Sequence, residues 1–247
     1  MIKDDGVSEL MGYTVLVAVV SIASAALLAG SMGTLSASEK SLGLGSSVSS
    51  LRSFDDIVAG VVSSNNTYDS AFEMSVPPGC DLAVRDKHDD FRSISIYSGS
   101  TLLAFLPIGS VTISSSFRSV TFEGGAVISN DTGLVKTEIK PAMSVAPLPS
   151  GKKALYMSVP TISSRSFIDH SGPVTLYARC NSSRPMSWHI PDGSTVIIYV
   201  RSGNLAAWKE VFDGLGLAAS YENGALKASG TGISDIYVTY AEADIHE

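Results

Sequence analysis

Charge is scarce in this chain of 247 residues, and cysteine is almost missing. Asp, Glu, Lys and Arg together make up 17% of it, well below the usage of an ordinary soluble domain. Its 17 Lys and Arg stand against 24 Asp and Glu, giving a net charge of −7 and a pI near 5.1. The cations are scattered, and Lys152-Lys153 is the only adjacent pair. That excludes the clustered basic footprint by which proteins hold nucleic acid. Ser, Thr and Gly fill the polar positions instead, so the mean hydropathy reaches +0.23 while the hydrophobic fraction stays at 45%. A surface built from hydroxyls suits a secreted or cell-surface protein better than a cytosolic enzyme.

The two cysteines, Cys80 and Cys180, have no C-x-x-C or His spacing around them, which excludes a zinc site. In an oxidising compartment they form one long-range disulfide, worth roughly 2–4 kcal/mol, or else they remain two buried thiols. Both readings stay open at this level. Catalytic motifs are missing too. Ser150-Gly151-Lys152-Lys153 lacks the upstream glycine of a phosphate-binding loop, and no G-x-S-x-G occurs. His88, His170, His189 and His246 stand alone, without an H-E-x-x-H pair. Asp169-His170 beside so many serines matches a triad only as chance would provide. The densest carboxylate group, Asp81, Asp86, Asp89 and Asp90, holds the oxygens that a calcium loop would use. Its order is not that of an EF-hand, however, and Arg85, Lys87 and Arg92 balance its charge, so it reads as a solvated, self-paired loop. The expectation is therefore a protein without enzymatic activity, resident metal or cofactor.

What the chain does possess is a long charge-free segment. From Leu10 to Ser38 there is no charged residue, and Leu10–Gly30 is almost wholly apolar. About 20 apolar residues span the hydrocarbon layer as a helix, and this run exceeds the apolar core of an ordinary secretory signal. Glu9 stands at its edge, where a carboxylate is costly in lipid unless it finds a partner. Small residues Gly30, Ser31, Gly33, Ser36 and Ala37 would allow close helix–helix approach.

The string KDDGVSELMGYTVLVAVV resembles the N-terminus of archaeal type IV pilins and their relatives, which carry a class III signal peptide. There a short charged leader precedes a small residue, a V-S-P/E-V-I-G-like motif and a hydrophobic helix. The resemblance implies cleavage by a prepilin-peptidase-like enzyme between Gly6 and Val7, so that the apolar helix stays on the mature protein. It further implies that helices bundle into a filament core, in homo- or hetero-oligomers of pilin-like subunits, with Glu9 pairing with the free α-amine of a neighbouring subunit. Two departures stand out. Glu9 occupies a position where many archaeal pilins have proline, third after the cut rather than fifth as in bacterial pilins, and the body is larger than that of a major archaeal pilin. The stretches VTFEGGAVIS and WKEVF resemble parts of larger archaeal surface proteins with no assigned activity.

Beyond the apolar run, spacings of three and four link Leu44, Val48, Leu51, Asp55, Val58 and Val62, which predicts a helix disturbed near Gly43–Gly45. From Tyr68 onward short alternating runs take over. Ser93–Tyr97 and Thr101–Leu106 flank Ser98-Gly99-Ser100, while Ala218–Tyr221 and Ala225–Ala228 flank Asn223-Gly224, two hairpin signals. Val111–Phe117, Val120–Ile128, Ala154–Val159, Val174–Cys180, Thr195–Arg201 and Ile233–Tyr240 read as further strands, and Leu205–Leu215 as a short helix with Leu205, Trp208 and Phe212 on one face. The predicted fold is α+β: a long N-terminal hydrophobic helix followed by a mainly antiparallel, β-sandwich-like domain with one short helix. Residues 1–6 form the leader, 7–64 the transmembrane or filament-core helix with its Ser/Gly-rich extension, and 65–247 an extracellular β-rich domain. Asn65, Asn130 and Asn181 head N-x-S/T tripeptides and are candidate glycosylation sites. The expected function is a single-pass membrane or filament subunit whose β domain faces outward for adhesion or subunit contacts. The alternative is a monomeric, lipid-anchored domain that binds carbohydrate or an envelope protein.

Overall fold

A computed structural model of the chain describes residues 43–89, 91–164 and 168–247. The compact unit they build runs from Leu44 to Glu247. The apolar run Leu10–Gly30 lies outside the described residues, and no helix among the described residues is long and apolar enough to cross a membrane. The α+β expectation is corrected: sixteen strands dominate the described residues, against two helices. The sandwich is corrected as well, because the strands form three sheets, one of them mixed.

The mixed sheet A has the order β1 (Ser70–Met74), β12 (Val174–His189), β16 (Ile233–His246), β10 (Lys153–Ser163), β9 (Met143–Pro147). Within it β10 and β16 run parallel, while the other pairs are antiparallel. Sheet B orders β11 (Ile168–Ser171), β2 (Asp81–Arg85), β5 (Ser110–Ser114), β6 (Arg118–Glu123), β7 (Ala126–Asp131) and β8 (Leu134–Ile139). Sheet C orders β14 (Ala218–Glu222), β15 (Ala225–Gly230), β13 (Val196–Arg201), β3 (Ser93–Ser98) and β4 (Thr101–Pro107). Both B and C are antiparallel throughout.

Sheet A serves two cores from opposite faces, and β16 shows how. Successive side chains of a strand point to opposite sides. Ile236, Val238 and Tyr240 of β16 enter a first core with the inner face of sheet C, whereas Ala243 and Ile245, of the other parity, enter a second core with sheet B. The neighbouring strand β10 does the same, giving Leu155, Met157 and Val159 to the first core and Ile162 to the second. The first core also takes α2 (Leu205–Gly214), whose Trp208 and Phe212 are buried beneath sheet C. Full burial of such side chains stabilises by about 1.5–3 kcal/mol each.

Helix α1 occupies residues 43–63. Its buried positions Leu51, Phe54, Val58 and Val61 recur every three or four residues and belong to the second core. The ring of Phe54 meets Phe122 of β6 edge-on at 5.1 Å and Phe72 of β1 at 5.6 Å, so one side chain ties the helix to sheets A and B. The helix ends in a Schellman turn: Asn66 N–H donates to Val61 O and Asn65 N–H to Val62 O. Asn65 takes the required left-handed conformation, with φ of 50°. The expected strand Val120–Ile128 is likewise corrected, because it is not one strand. Gly124 and Gly125, with φ of 58° and 81°, fold it into the β6–β7 hairpin.

Candidate functional site

Sheet C buries one face and leaves the other to solvent, because its strands alternate strictly. In β13, Val196, Ile198 and Val200 point into the first core, so Ile197, Tyr199 and Arg201 point outward. Register then sets the outer face. Lys227 of β15 lies opposite Tyr199, Tyr199 opposite Ser95, and Ser95 opposite Phe105 of β4; one rank over, Arg201 lies opposite Ser93. The middle strand β3 contributes only hydroxyls in these two ranks. A trough of about 350 Å³ results, with small residues Ser93, Ser95 and Ala225 between the aromatic rings of Tyr97, Tyr199 and Phe105 and the polar groups of Arg201, Glu222 and Asn223.

Two of the three rings hold each other. Tyr97 and Tyr199 meet edge to face at 5.7 Å and 86°, while Phe105 stands on the rim 60% exposed. Lys227 Nζ sits 5.9 Å above the Tyr199 ring and 2.9 Å from Glu222 Oε2. The hydrogen bond from that ammonium to the Glu222 carboxylate, then the charge of Glu222, holds Lys227 above its usual value. Glu222 is thereby neutralised. Arg201 is exposed, and no carboxylate pairs with it among the described residues. The trough therefore combines apolar ring faces, hydroxyls, an amide and one uncompensated cation, which is equipment for binding.

Two polar clusters lie deeper. Glu123, 1% exposed at the end of β6, accepts hydrogen bonds from Arg92 Nε at 2.6 Å, Ser202 Oγ at 2.5 Å and Trp208 Nε1 at 2.7 Å. The stretches VTFEGGAVIS and WKEVF thus meet in space: the first is the β6–β7 hairpin, the second α2, and Glu123–Trp208 joins them. Every oxygen of Glu123 is engaged, so this cluster fastens the fold. The second cluster surrounds Glu242 on β16, which pairs with Lys87 and accepts from Asn181 Nδ2 at 2.8 Å. Burial pushes the Glu242 carboxyl up, but the hydrogen bonds from Lys87 and Asn181 outweigh it and leave it below the usual carboxylate range.

Of the residues singled out from sequence, Gly6, Val7 and Glu9 lie outside the described residues. Cys80 and Cys180 are free thiols against the second core, and Cys180 Sγ donates to Asn65 Oδ1 at 3.4 Å. Burial pushes both thiols up, helped by Asp81 at Cys80 and by Glu242 at Cys180. Asn65 is exposed at the helix terminus, and Asn130 closes β7 with Oδ1 accepting from Gly133 N–H at 2.9 Å. Asn181 sits at a bulge of β12 with its amide nitrogen committed to Glu242.

In the acidic loop, Asp86 accepts from the backbone N–H of His88 at 2.7 Å and of Ser164 at 2.9 Å, so it staples its own turn to β10's end. Among the described residues no group of His, Cys, Asp or Glu is placed to hold a metal. His170 lies 2.7 Å from Glu247, facing away from its neighbour Asp169 as strand alternation demands. Sequence reasoning missed the trough altogether. Its signal was Tyr199 and Arg201 on β13 and Tyr97 on β3, at positions alternating with the buried Val196, Ile198 and Val200 and with Ile94 and Ile96.

Comparison with protein-family models, with curated proteins and with solved structures gives no match.

Proposed function

We propose that this chain is a pilin-like subunit of the cell surface, cut between Gly6 and Val7, held by its apolar N-terminal segment in the membrane or a filament, and presenting the unit Leu44–Glu247 outward. The observation that carries it is the N-terminal string KDDGVSELMGYTVLVAVV, a charged leader directly ahead of a run of apolar residues with a carboxylate at its edge. Two features of the folded unit support the reading. The unit begins with a helix whose side chains Leu51, Phe54, Val58 and Val61 belong to its core, so a load applied at the start of this helix falls on packed structure. The outer face of sheet C carries an aromatic trough suited to adhesion. That same trough favours a second reading, a monomeric anchored domain whose only role is binding.

Filament assembly separates the two. Sheared surface appendages should contain the protein, and Glu9→Ala should lower its yield there at least tenfold, since tenfold needs only about 1.4 kcal/mol and breaking a buried charge pair costs about 3–5 kcal/mol, while leaving membrane insertion intact. Unchanged yield in the sheared fraction would remove the assembly role of Glu9. Absence of the protein from that fraction would favour the anchored binding domain.

A further inference from the structure

We infer that the trough on sheet C is a saccharide-binding site that selects sugars bearing a carboxylate. The inference rests on the surface-subunit reading only for where the ligand is met; the chemistry is in the trough itself. A pyranose ring has an apolar face of C–H groups and an edge of hydroxyls. Tyr199 and Phe105 lie on either side of Ser95 in one rank of the sheet, so two ring systems flank a floor too small to fill the space between them. That spacing leaves a slot in which apolar sugar faces meet aromatic surface. Ser93, Ser95 and Asn223 line the same slot with groups that both donate and accept hydrogen bonds, which is what vicinal hydroxyls require. The volume of about 350 Å³ falls at the small end of the range for small-ligand sites, about 300–1,000 Å³.

Charge then narrows the class. Glu222 is matched by Lys227 at 2.9 Å, so the trough's remaining charge is the +1 of Arg201, in a chain whose net charge is −7. The planar guanidinium offers a fork of donors fitted to a carboxylate. Nothing among the described residues competes for it. Asn223 adds rigidity to the opposite rim: with φ of 50° followed by Gly224 at 74°, it occupies a tight two-residue turn between β14 and β15. A neutral sugar would use the rings and hydroxyls but leave Arg201 unanswered.

The full-length chain, held in a detergent without a sugar head group, is applied to an array of galacturonate, glucuronate and mannuronate oligomers, each beside its carboxyl-reduced neutral counterpart. Binding is expected to at least one uronate oligomer, with its neutral counterpart about tenfold weaker, the loss of one charge-assisted bidentate contact. Arg201→Ala should bring the acid down to the level of the neutral sugar, and Phe105→Ala should weaken both. Tyr237→Ala, on sheet A, should change neither. Phe105 and Arg201 are exposed, so unfolding temperatures of these variants should match the parent. No binding to any uronate, equal binding to acid and neutral forms, or indifference to both trough substitutions would each overturn the inference. Array failure together with a mature protein starting at Val7 removes the saccharide and leaves the subunit reading standing; array binding by a chain that retains Met1 does the reverse.

Discussion

Replacing Glu123 by glutamine exchanges one oxygen for an NH₂ group and should unfold the protein several degrees sooner. The carboxylate now takes Ser202 Oγ and Trp208 Nε1 on Oε1 and Arg92 Nε on Oε2, all at 2.5–2.7 Å, in a site 1% exposed. An amide can present only one oxygen. If that oxygen faces Ser202 and Trp208, the new NH₂ points at the Arg92 N–H, donor against donor; if it faces Arg92, the indole and the hydroxyl lose their acceptor. The negative charge opposite Arg92 is gone in either case. Breaking a buried ion pair by removing one partner costs about 3–5 kcal/mol, and because the glutamine keeps one side of the network, about 3 kcal/mol is expected here. For a unit of this size 1 kcal/mol moves Tm by about 2–4 °C, so the shift is about 6–12 °C downward. Thermal unfolding followed by tryptophan fluorescence, with Trp208 as the local reporter, measures it. A loss below about 0.5 kcal/mol, typical of a surface substitution, would refute the claim that Glu123 fastens β6 to α2.

Other consequences follow from the same packing. At Gly109, between β4 and β5, a Cβ would lie 2.2 Å from the carbonyl oxygen of Ile162 and 2.6 Å from that of Arg85. Neither backbone oxygen can swing aside, so Gly109→Ala should destabilise by about 3 kcal/mol, the upper part of the overpacking range; denaturant unfolding within 1 kcal/mol of the parent would contradict that crowding. Partial burial of Asp55 beside the inner face of α1, with Asp56 adjacent, pushes its carboxyl up to about 6. A raised carboxyl favours its protonated form in the folded state, so its contribution is present below the unfolded value near 4 and is lost as pH rises through about 6. Asp55→Asn should therefore raise stability by about 1 kcal/mol at pH 8, discounted for partial exposure, and by nothing at pH 3.5. A gain equal at both pH values would rule out titration of Asp55 as the cause.

The chemistry of turns made part of the fold legible. Ser98-Gly99-Ser100 joins β3 to β4 and Asn223-Gly224 joins β14 to β15, as their small and left-handed residues indicate. The three-and-four spacing marked α2 and the helical character of residues 44–62, although the buried face uses Phe54 and Val61 where the first pattern used Asp55 and Val62. Apolar continuity misled at Val120–Ile128: hydrophobic residues on both sides of Gly124-Gly125 looked like one strand because both halves feed cores. Strands β12 and β16 run well past Cys180 and Tyr240 without an apolar signal: no β12 residue beyond Cys180 is buried, and β16 carries Glu242 and Asp244, paired with Lys87 and Arg179. The parallel pairing of β10 with β16 joins residues far apart in the chain, and nothing local announces it. The trough is hidden for the same reason. Ser95, Phe105 and Tyr199 come from three strands whose neighbourhood exists only after β13 returns beside β3.

The first residue of the mature protein tests the surface-subunit account most directly. Intact-mass and N-terminal peptide spectrometry on protein from its native membrane should find Val7 as the first residue, with the six residues through Gly6 removed and Glu9 third in the chain. A mature chain that begins at Met1, or one cut beyond the apolar run after Gly30, would contradict it.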